Sequence, residues 1–282
     1  MNSRAILVLG MHRSGTSAVA RGLAALSVYL GNDFLDAQPE NPTGYWEDRG
    51  IVALNEHLLK QFDLRWDDTG RIQTSALLSL RLWPLRRHAA RYIRKTFGAH
   101  ALWAFKDPRT IRVLPFWRHV LEKCRTDDSY VVVIRHPLSI AASLLVRQQM
   151  DREHAYRLWL DYMVPFLRQL VGRPWVVVDY DRLMQEPRAQ LERVAMALTL
   201  PTSTTGEIDR FAGEFLDQKL RHTIFSPENL DVGTATSRVT RDAYSLLYGL
   251  ASDRPSTNGS EFWKAWERVE NDYARLPLAM SS

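Results

Sequence analysis

Cysteine and long hydrophobic runs are both scarce in this chain of 282 residues. The single cysteine, Cys124, excludes an internal disulfide and any metal site built from several thiolates, and we expect it to be a buried packing residue. The longest stretch without Asp, Glu, Lys or Arg is the 13 residues from Val194 to Gly206, so no membrane-spanning helix is predicted. The apolar run Ala5–Met11 is too short for an export signal, which makes the cytoplasm the expected compartment.

Nothing in the composition departs from that of a globular protein. Hydrophobic residues make up 45% of the chain and charged residues 24%, which excludes wholesale disorder and fibrous or low-complexity classes. A chain of this length can bury one ample core. No repeat or linker divides it, so we predict a single domain over residues 1–282.

Acidic residues are scarce in one part of the chain. Between Arg81 and Arg125 there are twelve Lys or Arg against two acids, Asp107 and Glu122, so this segment has a net charge of +10. The rest of the chain has a net charge of −5, which gives +5 for the whole protein. Such a segment can attract nucleic acid, a membrane surface or a small polyanion. It can also be the solvated face of a helix.

Short apolar runs alternate with helical patterns along the chain. The runs are rich in bulky or β-branched residues and apolar on both faces, as buried parallel strands are: Arg4–Gly10, Ala101–Phe105, Ser129–Ile134 and Trp175–Val178. After Pro187 an amphipathic helix is predicted from the spacing of its apolar residues. This alternation predicts an α/β fold of three layers, with a central parallel sheet flanked by helices and ligands bound at the carboxyl ends of the strands.

Three stretches are rich in Gly, Pro, Asn, Asp or Thr and are predicted to be loops. They are residues 31–46, 63–74 and 222–236. Long loops at the carboxyl edge of a sheet often form the walls of a substrate site.

The first strand runs into a glycine-bounded turn, Gly10-Met-His-Arg-Ser-Gly15, followed by Thr16 and Ser17 and a helical run. In this arrangement several backbone N–H groups and the helix dipole converge on an anion. The spacing G-x-x-x-x-G matches the nucleotide-binding P-loop, but Thr16 stands where a nucleotide triphosphatase needs Lys. With Arg13 as its only cation, the loop suits a single 5′-phosphate group better than a triphosphate with magnesium.

A second anion site is predicted at the end of the third strand. Arg135 ends that strand, Pro137 suits the first position of a helix, and Ser143 lies about two turns along it. Arg135 and Ser143 could together hold a second phosphate. Two anion sites on one sheet edge indicate a nucleotide phosphorylated at two positions.

These motifs resemble those of sulfotransferases that use 3′-phosphoadenosine 5′-phosphosulfate (PAPS). Gly10–Ser17 is similar to their 5′-phosphosulfate loop, and Arg135 to Ser143 has the spacing of their 3′-phosphate motif. Val178–Pro187 is similar to a Tyr-Glu-Asp-Leu segment whose tyrosine, here Tyr180, lies near the adenine. The resemblance implies PAPS as co-substrate without a metal, held by Arg13, Ser14, Gly15, Thr16, Ser17, Arg135, Ser143 and Tyr180.

The resemblance extends to a particular branch of the family. Asn41–Glu47 and Phe105–Arg109 are similar to segments of bacterial members that act on glycans or other small hydroxylated acceptors. The base histidine of the cytosolic animal branch corresponds to Pro108 here, and no copy of the C-terminal Arg-Lys-Gly segment is present. A small-molecule or glycan acceptor is therefore the expected partner, and nucleic acid is not.

Sulfuryl transfer requires cations at the leaving phosphate and a base at the acceptor hydroxyl. Arg13 and Lys106 are the predicted cations. Glu47 is the predicted base, because the glycan-directed branch tends to use a carboxylate from the segment after the first helix. Asp107 competes with Glu47 for this role, and His12 is a third candidate.

Three other functions compete with sulfuryl transfer. A P-loop kinase would use Asp179, at the end of an apolar strand, to position magnesium, but its loop lysine is missing. A metal-dependent glycosyltransferase could use Asp179-Tyr180-Asp181 as a D-x-D motif. A noncatalytic polyanion binder could use the basic segment, although no nucleic-acid-binding module is present. The sequence leaves the acceptor and the oligomeric state open.

Overall fold

Four parallel strands form the central sheet of the computed structural model, which describes residues 3–38, 44–201, 205–215, 225, 229–230, 233–253 and 259–277. The strands are β1 Ser3–Leu9, β2 Leu102–Lys106, β3 Thr126–Ile134 and β4 Trp175–Asp179. Their order in the sheet is β2-β1-β3-β4, and every pairing is parallel. The predicted α/β fold with a central parallel sheet is confirmed.

Helices cover both faces of the sheet. They are α1 Thr16–Ala25, α2 Arg49–Lys60, α3 Thr74–Leu77, α4 Trp83–Phe97, α5 Leu114–Lys123, α6 Pro137–Gln148, α7 Arg152–Met163, α8 Tyr180–Gln185, α9 Pro187–Ala197, α10 Thr205–Arg210, α11 Ala235–Ala251 and α12 Ser260–Arg275. Short 3-10 turns cover Leu80–Leu82, Pro108–Val113 and Leu167–Leu170, and a π turn covers Phe211–Phe215. Within the described ranges, no helix combines the length and apolar character needed to cross a membrane.

Alternate residues of each strand belong to different hydrophobic cores. In β1, Leu7 and Leu9 face a large core shared with helices such as α2, α5, α7 and α11, whereas Ile6 and Val8 face a smaller core shared with α1 and α9. Successive side chains of a strand point to opposite faces, so a strand covered on both sides must be apolar throughout. This explains why the four strands read as continuous apolar runs.

The strand order creates the crevice in which a ligand can bind. From β1 the chain crosses to β2 on one side of the sheet, and it later enters β3 on the other side of β1. In open α/β sheets, ligands bind outside the carboxyl ends of the strands where the order reverses in this way. The ends of β1 and β3, at Leu9 and Ile134, therefore mark the site.

Two local expectations are changed by the structure. β3 begins at Thr126, three residues before the predicted start, because the Asp128 carboxylate is paired with Arg118 at 3.3 Å and Arg173 at 3.1 Å. These ion pairs let an acidic residue occupy a strand. Cys124 is half-buried rather than buried, with its Sγ 3.6 Å from the Ala90 carbonyl oxygen.

The predicted loops are only partly within the described chain. Residues 63–73 form no helix or strand, and residues 31–38 and 44–48 contribute only isolated bridges, such as Phe34 to Asp48. Residues 39–43 lie outside the described residues, and so does most of 222–236. The segment Asn41–Glu47, which resembles bacterial sulfotransferases, therefore has its first three residues, Asn41, Pro42 and Thr43, outside the described residues.

Helix α9 offers a matched pair of substitutions that test the packing of the smaller core. Leu191 is 2% exposed and Met196 is 80% exposed on the same helix. We expect Leu191→Ala to lower the free energy of unfolding by about 2–5 kcal/mol, because it leaves a cavity. Met196→Ala should change it by less than about 0.5 kcal/mol. Urea denaturation measures both, and equal effects would contradict the assigned packing.

Candidate active site

The loop between β1 and α1 is shaped by two glycines that touch other parts of the chain. Gly15 adopts φ +88°, and a Cβ there would lie 2.0 Å from the Tyr180 ring. A Cβ at Gly10 would lie 2.6 Å from the carbonyl oxygen of Val133. Only glycine permits these approaches. The loop is therefore held against the ends of β3 and β4.

The polar side chains of the loop brace it and join it to a neighbouring segment. Ser14 is buried, and its Oγ donates to the Met11 carbonyl oxygen at 2.7 Å. The Ser17 Oγ donates to the Tyr45 carbonyl oxygen at 3.0 Å. Thr16, also buried, is the first residue of α1, where the backbone N–H groups have no acceptor within the helix. These N–H groups and the helix dipole are suited to an anion.

Arg13 and Arg135 bring the two predicted anion sites together. Arg13 adopts φ +70°, and its Nε donates to the Ser143 Oγ of α6 at 2.9 Å. An Arg135 terminal nitrogen lies 3.4 Å from the Arg13 carbonyl oxygen, and the Arg135 guanidinium lies 4.8 Å from the centre of the Tyr180 ring. All four residues surround the crevice between β1 and β3.

One hydrogen-bond donor of the Arg135 side chain has no acceptor among the described residues. Its Nε is buried and has no hydrogen-bond partner among the described residues. A buried, unpaired charged donor is costly, and an anion would relieve the cost. The position of Arg135 therefore suits an anionic ligand.

A buried ion pair lies beside residues Gly10–Ser17, the predicted phosphate loop. The Lys106 Nζ, at the end of β2, lies 2.5 Å from the Glu47 Oε1, and the two side chains are 3% and 6% exposed. The same Nζ donates to the Ser17 Oγ at 3.2 Å and to the Tyr45 carbonyl oxygen at 3.1 Å. Burial raises the pKa of the Glu47 carboxyl above its ordinary value, although Lys106 opposes this shift. Glu47 is thus held in a fixed position beside the loop.

Asp107 is committed to a network of its own. Its Oδ1 accepts from the Arg109 side chain at 2.7 Å, and its Oδ2 accepts from the Asn55 Nδ2 at 2.8 Å. The Asn55 Oδ1 in turn accepts from the Trp117 indole at 2.7 Å. Arg109 also approaches Glu47 at 3.8 Å. Asp107 is fully buried and holds the arginine that faces Glu47.

His12 lies close to this network without joining it. Its ring centre is 4.4 Å from that of Trp66, and its Nε2 is buried without a hydrogen-bond partner in the described chain. Burial, followed by the charges of Arg109 and Lys106, holds the pKa of His12 well below its ordinary value. The imidazole is therefore neutral at pH 7.

Asp179 is buried at the end of β4 and caps α8. Its Oδ1 accepts from the Arg182 backbone N–H at 3.0 Å, and Tyr244 approaches its Oδ2 at 3.4 Å. Burial raises the pKa of Asp179 to about 6. Both oxygens of the Asp179 carboxylate thus have hydrogen-bond donors within the protein. Asp179 therefore no longer favours the interpretation of the chain as a kinase, which needs this carboxylate to position magnesium. Over the described residues, no group of three or more His, Cys, Asp or Glu is placed to hold a metal ion.

Asn55 is not among the residues predicted from the sequence, and Arg109 enters there only as the last residue of the segment Phe105–Arg109. Asn55 is fully buried on the inner face of α2, one position from Leu54 and three from Leu58. A polar residue within an apolar helical stripe is the signal that could have identified it. For Arg109, the pairing with Glu47 connects residues that are far apart in the chain, so no local pattern shows it.

Several solved structures are similar to this chain at low sequence identity. The sulfotransferase domain of the Synechococcus PCC 7002 olefin synthase is 16% identical with a TM-score of 0.48, covering 86% of this chain and 95% of its own. Sulfotransferase STF1 from Mycobacterium tuberculosis H37Rv is 16% identical with a TM-score of 0.39, and the match covers 87% of this chain and 77% of STF1. A retinol dehydratase in complex with retinol and PAP is 10% identical with a TM-score of 0.38, and the match covers 100% of this chain and 84% of the dehydratase.

Classification of the chain depends on a family model. No curated protein sequence matches the chain. The model of the sulfotransferase family matches residues 5–204, which include the phosphate loop, Glu47, Lys106, Arg135 and Ser143. This match covers well over half of the chain. The protein belongs to the sulfotransferase family and is a transferase enzyme.

Proposed function

We propose that this enzyme transfers the sulfuryl group of PAPS to a hydroxyl or amine of a glycan or another small acceptor. One observation carries the proposal: the Lys106 Nζ contacts both Glu47, at 2.5 Å, and Ser17 of the phosphate loop, at 3.2 Å. A candidate base and a cation are thereby fixed beside the loop that suits the donor. Sulfuryl transfer needs these three parts in one place.

The residues at the crevice fit a nucleotide with phosphates at two positions. The loop amides, Ser14, Gly15, Thr16 and Ser17 would hold the 5′-phosphate. Arg135, whose Nε is buried and unsatisfied, would hold the 3′-phosphate together with Ser143. Arg13 lies between the two groups, because its Nε bonds to Ser143. Tyr180, beneath the Arg135 guanidinium, would border the adenine.

PAPS supplies a sulfuryl group joined to phosphate through an anhydride, so that adenosine 3′,5′-bisphosphate (PAP) is the leaving group. The chain must stabilise the negative charge that grows on the leaving phosphate oxygen. Arg13, the N–H groups at the start of α1 and Lys106 would do so. Their charges are fixed in advance by hydrogen bonds within the protein, which limits reorganisation during the reaction.

Glu47 is the base that the geometry favours. A general base accepts the proton from the acceptor as the bond to sulfur forms, and efficiency improves when its pKa is closer to the working pH. Burial raises the pKa of Glu47. Both oxygens of Asp107 accept hydrogen bonds from Arg109 and Asn55, so we assign Asp107 to positioning Arg109.

A partly exposed aromatic side chain beside the donor loop supports a small acceptor. Trp66 packs on His12 of that loop, whereas Tyr162, whose ring lies 6.1 Å from that of His12, is buried. Aromatic faces bind the apolar side of a sugar or a ring-bearing alcohol. A glycan or another small hydroxylated compound is therefore the acceptor class that we propose.

Binding of the bisphosphate tests the assignment of Arg135. Without metal, we expect PAP to bind more tightly than AMP, which lacks the 3′-phosphate. Arg135→Ala should weaken PAP by about 1.5–3 kcal/mol, because it removes a charge-assisted hydrogen bond. The same variant should leave AMP binding almost unchanged. Isothermal titration calorimetry measures these affinities, and equal affinity of the unmutated protein for PAP and AMP would refute the 3′-phosphate site.

Catalysis by Glu47 can be separated from nucleotide binding. Transfer of radiolabelled sulfate to a panel of glycans, phenols and lipids first identifies a working acceptor. We then expect Glu47→Gln to lower turnover by roughly 10²–10⁴ while PAP affinity stays nearly constant, because the Gln side-chain oxygen still accepts the hydrogen bond from Lys106 but cannot take up a proton.

Glu56 provides the matched control for Glu47. Its carboxylate bonds the same Arg109, at 3.2 Å, but its side chain is 60% exposed, and Glu56→Gln should leave turnover close to that of the unmutated enzyme. Asp107→Asn should weaken the hold on Arg109. An active Glu47→Gln beside an inactive Asp107→Asn with normal nucleotide binding would transfer the role of base to Asp107.

The pH dependence of the reaction should report the Glu47 carboxyl. Only the deprotonated carboxylate accepts a proton, so kcat/KM should fall as pH drops through the pKa of Glu47, which burial raises. Lys106 lowers this pKa, and Lys106→Met should therefore move the acidic limb to higher pH. A limb that keeps its position in Lys106→Met would show that another group titrates.

A further inference from the structure

Helix α4 carries a concentration of positive charge that its own stability does not explain. Residues 69–106 contain neither Asp nor Glu, and α4 contributes Arg86, Arg87, Arg91, Arg94 and Lys95. The pairs 87–91 and 91–95 have like charges at spacing i, i+4, which destabilises a helix. A concentration of charge of one sign creates a local potential that attracts negatively charged partners.

Four residues of α4 form a stripe along one face. Trp83, Arg87, Arg91 and Arg94 follow one another at helical spacing, and the Arg87 guanidinium lies 4.7 Å from the centre of the Trp83 ring. They border a cleft of about 460 Å³ between α4 and α5 that extends to Lys123. Arg94 donates to the Lys123 carbonyl oxygen at 2.8 Å, so this arginine is held by a neutral acceptor and keeps its charge available.

Large apolar side chains are exposed at the start of the same stripe. Leu80, in the 3-10 turn before α4, is 86% exposed, and Trp83 is 51% exposed. Leu78 nearby is 41% exposed. Isolated exposed apolar residues are common, but these three fall within six consecutive positions that lead into the basic helix. Basic and apolar groups thus lie side by side.

We propose that this α4 surface, made of Leu80, Trp83, Arg87, Arg91 and Arg94, docks the enzyme on a membrane that contains anionic phospholipid. The arginines attract the negative leaflet and, along the rim of the cleft between α4 and α5, can pair with lipid headgroup phosphates. Leu80 and Trp83 enter the boundary between headgroups and acyl chains, where tryptophan is enriched in proteins. The enzyme would thereby reach acceptors at or near that membrane.

The apolar residues favour a membrane over a hydrophilic polyanion. A nucleic acid or a sulfated glycan could pair with the arginines, but it offers no apolar environment to an exposed leucine. The hydrocarbon boundary of a bilayer offers such an environment together with negative charge. Loss of binding on removal of Leu80 is therefore the feature that separates the two kinds of partner.

Vesicle flotation with the full-length protein tests the proposal. We expect binding to vesicles of phosphatidylcholine mixed with phosphatidylserine and little binding to phosphatidylcholine alone. The double variant R87E/R91E should bind the mixed vesicles about tenfold more weakly or worse, because two attractive charges become repulsive. Leu80→Ser should weaken binding several-fold although it leaves the charge unchanged.

The matched control lies on α12, where Lys264 and Arg268 form an exposed cation pair with the same i, i+4 spacing. The variant K264E/R268E changes net charge equally and should bind as the unmutated protein does. Thermal unfolding checks that each variant is folded, and R87Q/R91Q replaces R87E/R91E if the reversal unfolds the helix.

Three outcomes would overturn the proposal. These are equal binding to both kinds of vesicle, equal loss in the α12 control, and unchanged vesicle binding by Leu80→Ser. Binding to heparin or duplex DNA that R87E/R91E abolishes, without any vesicle binding, would identify a soluble polyanion as the partner instead. None of these measurements depends on sulfuryl transfer, so the outcome is independent of the proposed reaction.

Discussion

The ion pair between Lys106 and Glu47 is the interaction that joins the separate parts of the site. Burying two opposite charges costs desolvation energy that their attraction recovers only when the remaining polar atoms are also satisfied. Here the ammonium group has two further acceptors, the Ser17 Oγ and the Tyr45 carbonyl oxygen. The end of β2, the phosphate loop and the segment before α2 are consequently fixed relative to one another.

A second network, of hydrogen bonds around Asp107, lies next to this ion pair and contacts it through Arg109. Asp107, Arg109 and Asn55 are all buried, and Trp117 anchors Asn55 from the core side of α5. A buried polar network of this kind is rigid when its members are satisfied, because every alternative geometry leaves a polar atom without a partner. Two neighbouring residues at the end of β2 therefore make different contacts: Lys106 bonds to the loop, whereas Asp107 bonds to buried residues of the interior.

The site and the proposed docking surface use arginine in different ways. Arg13 and Arg135 lie close together at the crevice, where hydrogen bonds to Ser143 and to the Arg13 carbonyl oxygen constrain them. Such constraint suits recognition of a phosphate in one geometry. Arg87 and Arg91 are exposed on a helix face, which suits diffuse attraction to a charged surface. Position within the fold, and not residue type, separates these two uses.

The sequence by itself determined the strands, the glycine-bounded loop between β1 and α1, and the position of Arg135 just before a helix that carries Ser143. These features are local: burial on both faces makes the strands apolar throughout, and a glycine-bounded turn before a helix is recognisable within eight residues. Only the tertiary structure decided which carboxylate faces Lys106, since Glu47 and Asp107 are equivalent as residue types. The choice depends on the parallel register that aligns Lys106 with Val8 of β1 and on hydrogen bonds between residues more than fifty positions apart, which no local pattern encodes.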